Sequence, residues 1–114
     1  MNAQYNIQYN NQYNMVNQNM MQGNYNPNKL VLLSSYNIKT NESDIIKSFI
    51  LKATSSYDTY SDIAQSIQDD CINKFGGNWT VSFGEKDKFN VFWKAIKNIG
   101  FTIGQYKIVI TFNE

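Results

Sequence analysis

Two adjacent glycines, Gly76 and Gly77, mark the point where the hydrophobic spacing of this chain switches from helical to alternating, and that switch restricts its fold more than any other feature. Upstream, Ile45, Ile46, Phe49, Ile50, Ala53 and Tyr57 recur three to four residues apart and fall on one face of a helix. Thr40 or Asn41 is placed to cap it, and Glu42 and Asp44 sit where the helix dipole favours acids. A second stripe follows at once, through Tyr60, Ile63, Ala64, Ile67, Cys71 and Phe75, and the glycine pair ends it. Downstream the period is two. Trp79, Val81 and Phe83 alternate with small polar residues up to Gly84, and Ile99, Phe101 and Ile103 alternate about Gly100 and Thr102. Phe89 to Trp93 is a dense aromatic strand candidate after the polar loop Glu85–Lys88. Gly104-Gln105 turns the chain into a last strand, Tyr106 to Phe112. With an apolar run at Leu30–Leu33 as the opening strand, the order is β-α-α-β-β-β-β. Segregated helices and strands predict an α+β domain with two helices packed on an antiparallel sheet.

The domain is expected over residues 29–114, because Lys29 is the first charged residue of the chain. Residues 1–28 are Asn, Gln, Tyr and Met in the main, with the repeat Gln4-Tyr5-Asn6, Gln8-Tyr9-Asn10, Gln12-Tyr13-Asn14. Such a tract buries too little apolar surface to offset chain entropy, so it is expected to be a disordered tail. Its composition is also of the prion-like kind that self-associates.

Most catalytic chemistry lacks its residues here. The chain has no histidine, and all ten basic residues are lysines, so neither a common general base nor a bidentate phosphate clamp is present. The glycines match no phosphate-loop or dinucleotide spacing. Asp69 and Asp70 point about 100° apart on a helix and cannot converge on Cys71, which belongs to the apolar stripe. One cysteine excludes an internal disulfide and a cysteine metal cluster. We therefore expect no enzyme, no cofactor and no metal. Lys86, Lys88, Lys94 and Lys97 flank aromatic residues, as in base-stacking surfaces. From Leu30 onward, however, nine lysines face nine acids, and the net charge of +1 gives no field for nucleic acid or an acidic membrane. No secretory signal or membrane-spanning run is visible, so a soluble, reduced, intracellular setting is expected.

The block Ser61-Asp62-Ile63-Ala64-Gln65-Ser66-Ile67, then Lys74-Phe75, Trp79 and Gly84, resembles the small cytoplasmic dynein light chains. The similarity continues through Ile99, Phe101 and Ile103-Gly104-Gln105 and extends back to Val31 without a gap. It implies a homodimer formed by exchanging one strand, here Phe89 to Trp93, with an interface at Thr80, Phe89, Val91 and Trp93. It also implies two symmetric grooves, each binding a short extended peptide as an added β-strand beside the exchanged strand, with the second helix as the far wall. Tyr60, Ser61, Asn90, Val91, Phe92, Trp93, Gly100 and Thr102 would form that groove. Three departures stand out. The family has aromatic groove residues where Gly100 and Thr102 stand, a glycine-aromatic pattern in the exchanged strand where Lys88 and Asn90 stand, and an interface histidine where Thr80 stands.

On this resemblance the chain is expected to be a non-catalytic light chain of a dynein motor complex. Its partners would be the dynein intermediate chain or other proteins bound through short linear segments, and its location cytoplasmic, on microtubules or an axoneme. A dimeric hub outside dynein and an assembly protein driven by the prion-like tail are the alternatives.

Overall fold

The computed structural model describes residues 29–88 and 95–113. They form strand β1 (Leu30–Tyr36), helices α1 (Thr40–Ser56) and α2 (Tyr60–Phe75), and strands β2 (Asn78–Glu85), β3 (Lys97–Ile103) and β4 (Tyr106–Asn113). The expected α+β arrangement is present, with one antiparallel sheet in the order β1-β3-β4-β2. The strand expected at Phe89–Trp93 lies outside the described residues, as does the tail at 1–28.

Both helices form where the apolar stripes require them, but their ends differ in detail from expectation. Lys39, rather than Thr40 or Asn41, holds the cap position of α1, and its backbone N–H donates to the Glu42 carboxylate at 2.9 Å. The acid three residues in therefore makes the reciprocal half of a capping box, accepting from the cap residue's own N–H. Tyr57 falls just beyond α1 and is 43% exposed, so it leaves the stripe that Ile46, Ile50 and Ala53 complete. Helix α2 starts on Thr59, whose hydroxyl accepts from the Asp62 N–H at 3.2 Å, and stops at Gly76 with φ 74°. Its buried residues are Tyr60, Ile63, Ala64, Ile67, Gln68 and Cys71. All but Gln68 are apolar members of the expected stripe.

The sheet buries one face against those helices. Trp79, Val81 and Phe83 of β2, Ile99, Phe101 and Ile103 of β3, and Ile108 and Ile110 of β4 join the helical residues in a single core cluster. Each fully buried Ile or Phe side chain contributes roughly 1.5–3 kcal/mol. Two connections fix the register. Gly104, at φ 62°, and Gln105 form a two-residue turn that folds β3 onto β4, pairing Ile103 with Tyr106. Positive φ at the first turn position suits the right-handed twist of the flanking strands. At the other end, Asn37 adopts φ 58° as β1 closes, and its side-chain amide donates to the Ile96 carbonyl at 3.0 Å. β1 pairs with β3 through a register shift at Leu33.

Candidate functional site

The ladder between β2 and β4 decides which way β2 presents its backbone. The Lys86 N–H donates to the Gln105 carbonyl at 2.8 Å, continuing the register in which Glu85 faces Tyr106 and Gly84 faces Lys107. In an antiparallel ladder, bonded and non-bonded pairs alternate. Gly84, Ser82 and Thr80 therefore bond toward β4, and the N–H and C=O groups of Trp79, Val81 and Phe83 turn the other way. Among the described residues β2 is the last strand of the sheet, so these groups point away from β4, on the side that helix α2 borders.

Helix α2 borders that edge and is tied to it by side chains. The Gln68 amide donates to the outward carbonyl of Trp79 at 2.7 Å. The Trp79 indole N–H in turn donates to the Gly76 carbonyl, at the end of α2, at 2.8 Å. The Trp79 ring is stacked at an angle between Phe75, 5.5 Å away, and Phe112, 4.9 Å away. Sequence reasoning missed Gln68. Its position four residues after Ala64 and one after Ile67 put it on the buried face, and a polar residue there must find a partner.

The residues expected to form the groove divide into two sets. At the start of α2, Tyr60 is fully buried, edge-on to Phe83 at 5.3 Å and to Tyr106 at 6.4 Å. Tyr60 is thus a core residue, and Ser61 beside it is the half-buried one at the surface. Gly100 and Thr102 lie elsewhere. They alternate with Ile99, Phe101 and Ile103, so they face away from the helices, on β3 rather than β2. That second face also carries Thr80, paired with Thr111, and around Val109 it is built from small residues, Ser82, Gly84 and Gly100 among them. Within one chain the Tyr60–Ser61 end and the Gly100–Thr102 pair stand on opposite sides of the sheet and do not meet. Phe89, Asn90, Val91, Phe92 and Trp93 lie outside the described residues.

The remaining polar clusters are self-paired. Between the end of α1 and α2, a shallow concavity is lined by Lys52, Tyr57, Asp62, Gln65 and Asp69. Lys52 reaches Asp70 at 2.8 Å, and the Gln65 amide donates to Asp69 at 2.9 Å. Cys71 is fully buried, and burial together with the Asp70 charge pushes its thiol up to about 12, so it is neutral at physiological pH. No three His, Cys, Asp or Glu side chains gather in a way that could hold a metal ion among the described residues. No helix among them is long and apolar enough to cross a membrane.

Comparison with solved structures gives this architecture a name. The dynein light chain-like domain of the Fasciola hepatica calcium binding protein FhCaBP2 superposes with a TM-score of 0.59 at 13% identity, covering 75% of this chain and 93% of that one. The native P6422 structure of the same domain gives 0.59 at 13% identity, covering 75% of this chain and 91% of that one. The DLC like domain of CsTAL3 gives 0.58 at 13% identity, covering 72% and 90% respectively. No family model and no curated protein matches the sequence. The chain has a divergent dynein light chain-like fold.

Proposed function

We propose that this protein is a non-catalytic, dimeric binding module that captures short extended segments of partner chains as β-strands added beside an exchanged strand, with α2 as the far wall. The observation that carries this reading is the dynein light chain-like fold, in which α2 borders the β2 end of the sheet and is tied to it by the Gln68–Trp79 bond. Backbone pairing of this kind supplies affinity with little demand on partner sequence, and side-chain walls add selectivity. The division of the expected groove residues supports a dimer. Ser61 and the Gly100–Thr102 pair lie on opposite sides of one sheet, and a second chain, exchanging its Phe89–Trp93 segment onto β2, would bring its own copy of the missing wall. Two grooves on one dimer would then join two copies of a partner, useful even when each grip is weak.

Within this reading, the service of a light chain in a cytoplasmic or axonemal dynein, with the dynein intermediate chain as partner, is the specific form we favour. A dimeric hub outside dynein would use the same groove. An assembly role centred on residues 1–28 would not need it. Gly100 and Thr102 give small walls where the dynein light chains carry aromatic ones, so a peptide with the glutamine-centred motif of that family should bind weakly. Sedimentation equilibrium on the full chain and calorimetric titration with such a peptide test both halves. A dimer with weak, saturable binding is expected. A compact monomer at micromolar concentration would remove the strand-exchange arrangement, and absence of any binding by the dimer would remove the groove.

A further inference from the structure

Among the described residues the sheet has a second end, and β1 forms it. Val31, Leu32, Leu33 and Tyr36 are all exposed, Val31 and Tyr36 at 57% each. Ile96, also exposed, joins them where the strand closes, its carbonyl accepting from the Asn37 amide at 3.0 Å. Ladder phase tells which backbone groups of β1 turn outward. Lys107, Val109 and Thr111 of β4 bond to β2, so Tyr106, Ile108 and Ile110 bond to Ile103, Phe101 and Ile99 of β3. Thr102, Gly100 and Asn98 then bond to their β1 partners Val31, Ser34 and Tyr36. Leu30, Leu32 and Ser35 thus present their N–H and C=O groups past the edge. Edges of this kind are normally blunted by charge or proline within the strand. From Leu30 to Ile38 there is neither, and the register shift at Leu33 is the one guard. The charges stand at the ends instead, Lys29 directly before the strand and Lys39 two residues after Asn37, both exposed. Glu42, the first acid beyond the strand, already accepts from the Lys39 N–H and lies 3.5 Å from the Lys97 ammonium.

We propose that the outer edge of β1 is a second docking strand, and that its occupant is an extended, uncharged segment of another protein with acidic residues at both ends. The body of that segment pairs with the outward groups of Leu30, Leu32 and Ser35 and lies beside the exposed Leu32 and Leu33. Charge selects the occupant. The strand has seven residues, a length of about 23 Å. An incoming segment that spans it brings its flanking acids toward Lys29 and Lys39. A second copy of β1 fits poorly, because antiparallel pairing about a two-fold axis turns Lys29 of each copy toward Lys39 of the other. Residues 1–28 of the chain carry no acid and would leave both lysines unanswered. The register shift interrupts the ladder between Leu32 and Ser35, so continuous pairing is short and the grip is weak and salt-sensitive. The inference is independent of the partner groove, which lies at the β2 end.

Two synthetic peptides test the edge on the full chain. They share one core of alternating valine and threonine, as long as β1, and carry a pair of aspartates or a pair of lysines at each end. Fluorescence anisotropy at low salt reads their affinities, and amide hydrogen exchange reads where they bind. The acidic peptide should bind on the order of tenfold tighter than the basic one and lose that advantage in high salt. It should slow exchange over Leu30–Tyr36 and leave Asn78–Glu85 unchanged. Lys29→Gln/Lys39→Gln leaves the strand itself intact and should erase the preference. Equal affinity of the two peptides for wild type, or a preference that survives loss of both lysines, would overturn the proposal. So would binding by neither, which would leave the lysines as guards at the ends of an edge closed by its bulge. Slowed exchange at Asn78–Glu85 in place of β1 would send the acidic peptide to the partner groove. Protection of β1 that rises with protein concentration alone would give the edge to a second copy, and either result also overturns the assignment.

Discussion

The side chain of Gln68 closes the backbone of Trp79: amide and carbonyl lie 2.7 Å apart, and each residue is 3% exposed. The carbonyl is one that β2 turns away from β4, so without Gln68 it would be buried beside α2 with no ladder partner. A buried acceptor left unmade costs about 1–3 kcal/mol. Gln68→Leu should therefore lower stability by that amount in urea unfolding, although it replaces a polar core residue with an apolar one of similar size. Stabilisation by leucine would show that the carbonyl finds water.

The turn after α2 holds two glycines in unlike circumstances. Both have positive φ, 74° at Gly76 and 88° at Gly77, but a Cβ on Gly76 meets open space, whereas one on Gly77 would collide with the edge of the Phe112 ring. Gly76, at φ 74° and ψ 168°, sits in a backbone region essentially reserved for glycine, which costs another residue about 1–3 kcal/mol. Gly76→Ala should lose about that much, and Gly77→Ala clearly more. Thermal melts of both, with Gly77→Ala/Phe112→Leu to relieve the ring, measure the difference. Equal losses would mean that Phe112 moves aside freely.

Glu42 links stability to acid. Its carboxyl is held below its ordinary 4.5, chiefly by the Lys39 N–H and then by the Lys97 charge, against the opposing effect of burial. A depressed folded value means that the unfolded chain takes up the proton first. The contribution is thus complete above pH 4.5 and is lost as pH falls through the lower folded value. Glu42→Gln, which keeps an acceptor for Lys39 but not the charge, should lie below wild type at pH 7 and converge with it in acid. Parallel curves down to pH 2 would exclude the linkage.

Cys71 should be inert in the native protein. A fully buried thiol raised to about 12 presents almost no thiolate, so a thiol-specific reagent should react only at the rate of opening and promptly in denaturant. Rapid native labelling would place the residue nearer the surface than the α2 stripe puts it.

Between about pH 5 and 7 the proposed dimer should hold together. The dynein light chains loosen there when an interface histidine becomes charged, whereas the resemblance puts Thr80 at that position and the chain contains no histidine at all. Sedimentation at both ends of that window should give one mass. A midpoint inside it would require another interface.

The fold was legible because period and punctuation agree. The α2 stripe, the Gly76 stop and the alternation of Ile99, Phe101 and Ile103 each appear where spacing puts them, and with them the outward placement of Gly100 and Thr102. What escaped the sequence depends on partners distant along the chain. Gln68 reads as a surface residue beside the α2 stripe, yet it is buried and closes the Trp79 carbonyl. Tyr57 continues the α1 spacing by one step, but the helix has ended. Lys39 caps α1 only because Glu42 reaches back. The direction of the β2 backbone follows from ladder phase, which residue types do not encode.

The order β1-β3-β4-β2 also has a consequence in time. The two central strands are those that come latest along the chain, and β1 reaches its ladder only when Leu30 meets Ile103. As the polypeptide leaves the ribosome, β1 and both helices emerge before the strands that will cover them exist. The β3–β4 hairpin, closed by its two-residue turn, forms quickly once made, whereas β1 must close a loop that spans most of the domain. During synthesis, then, an uncharged strand waits in solvent beside an Asn- and Gln-rich segment, and chaperone demand should be greatest in that interval rather than after release.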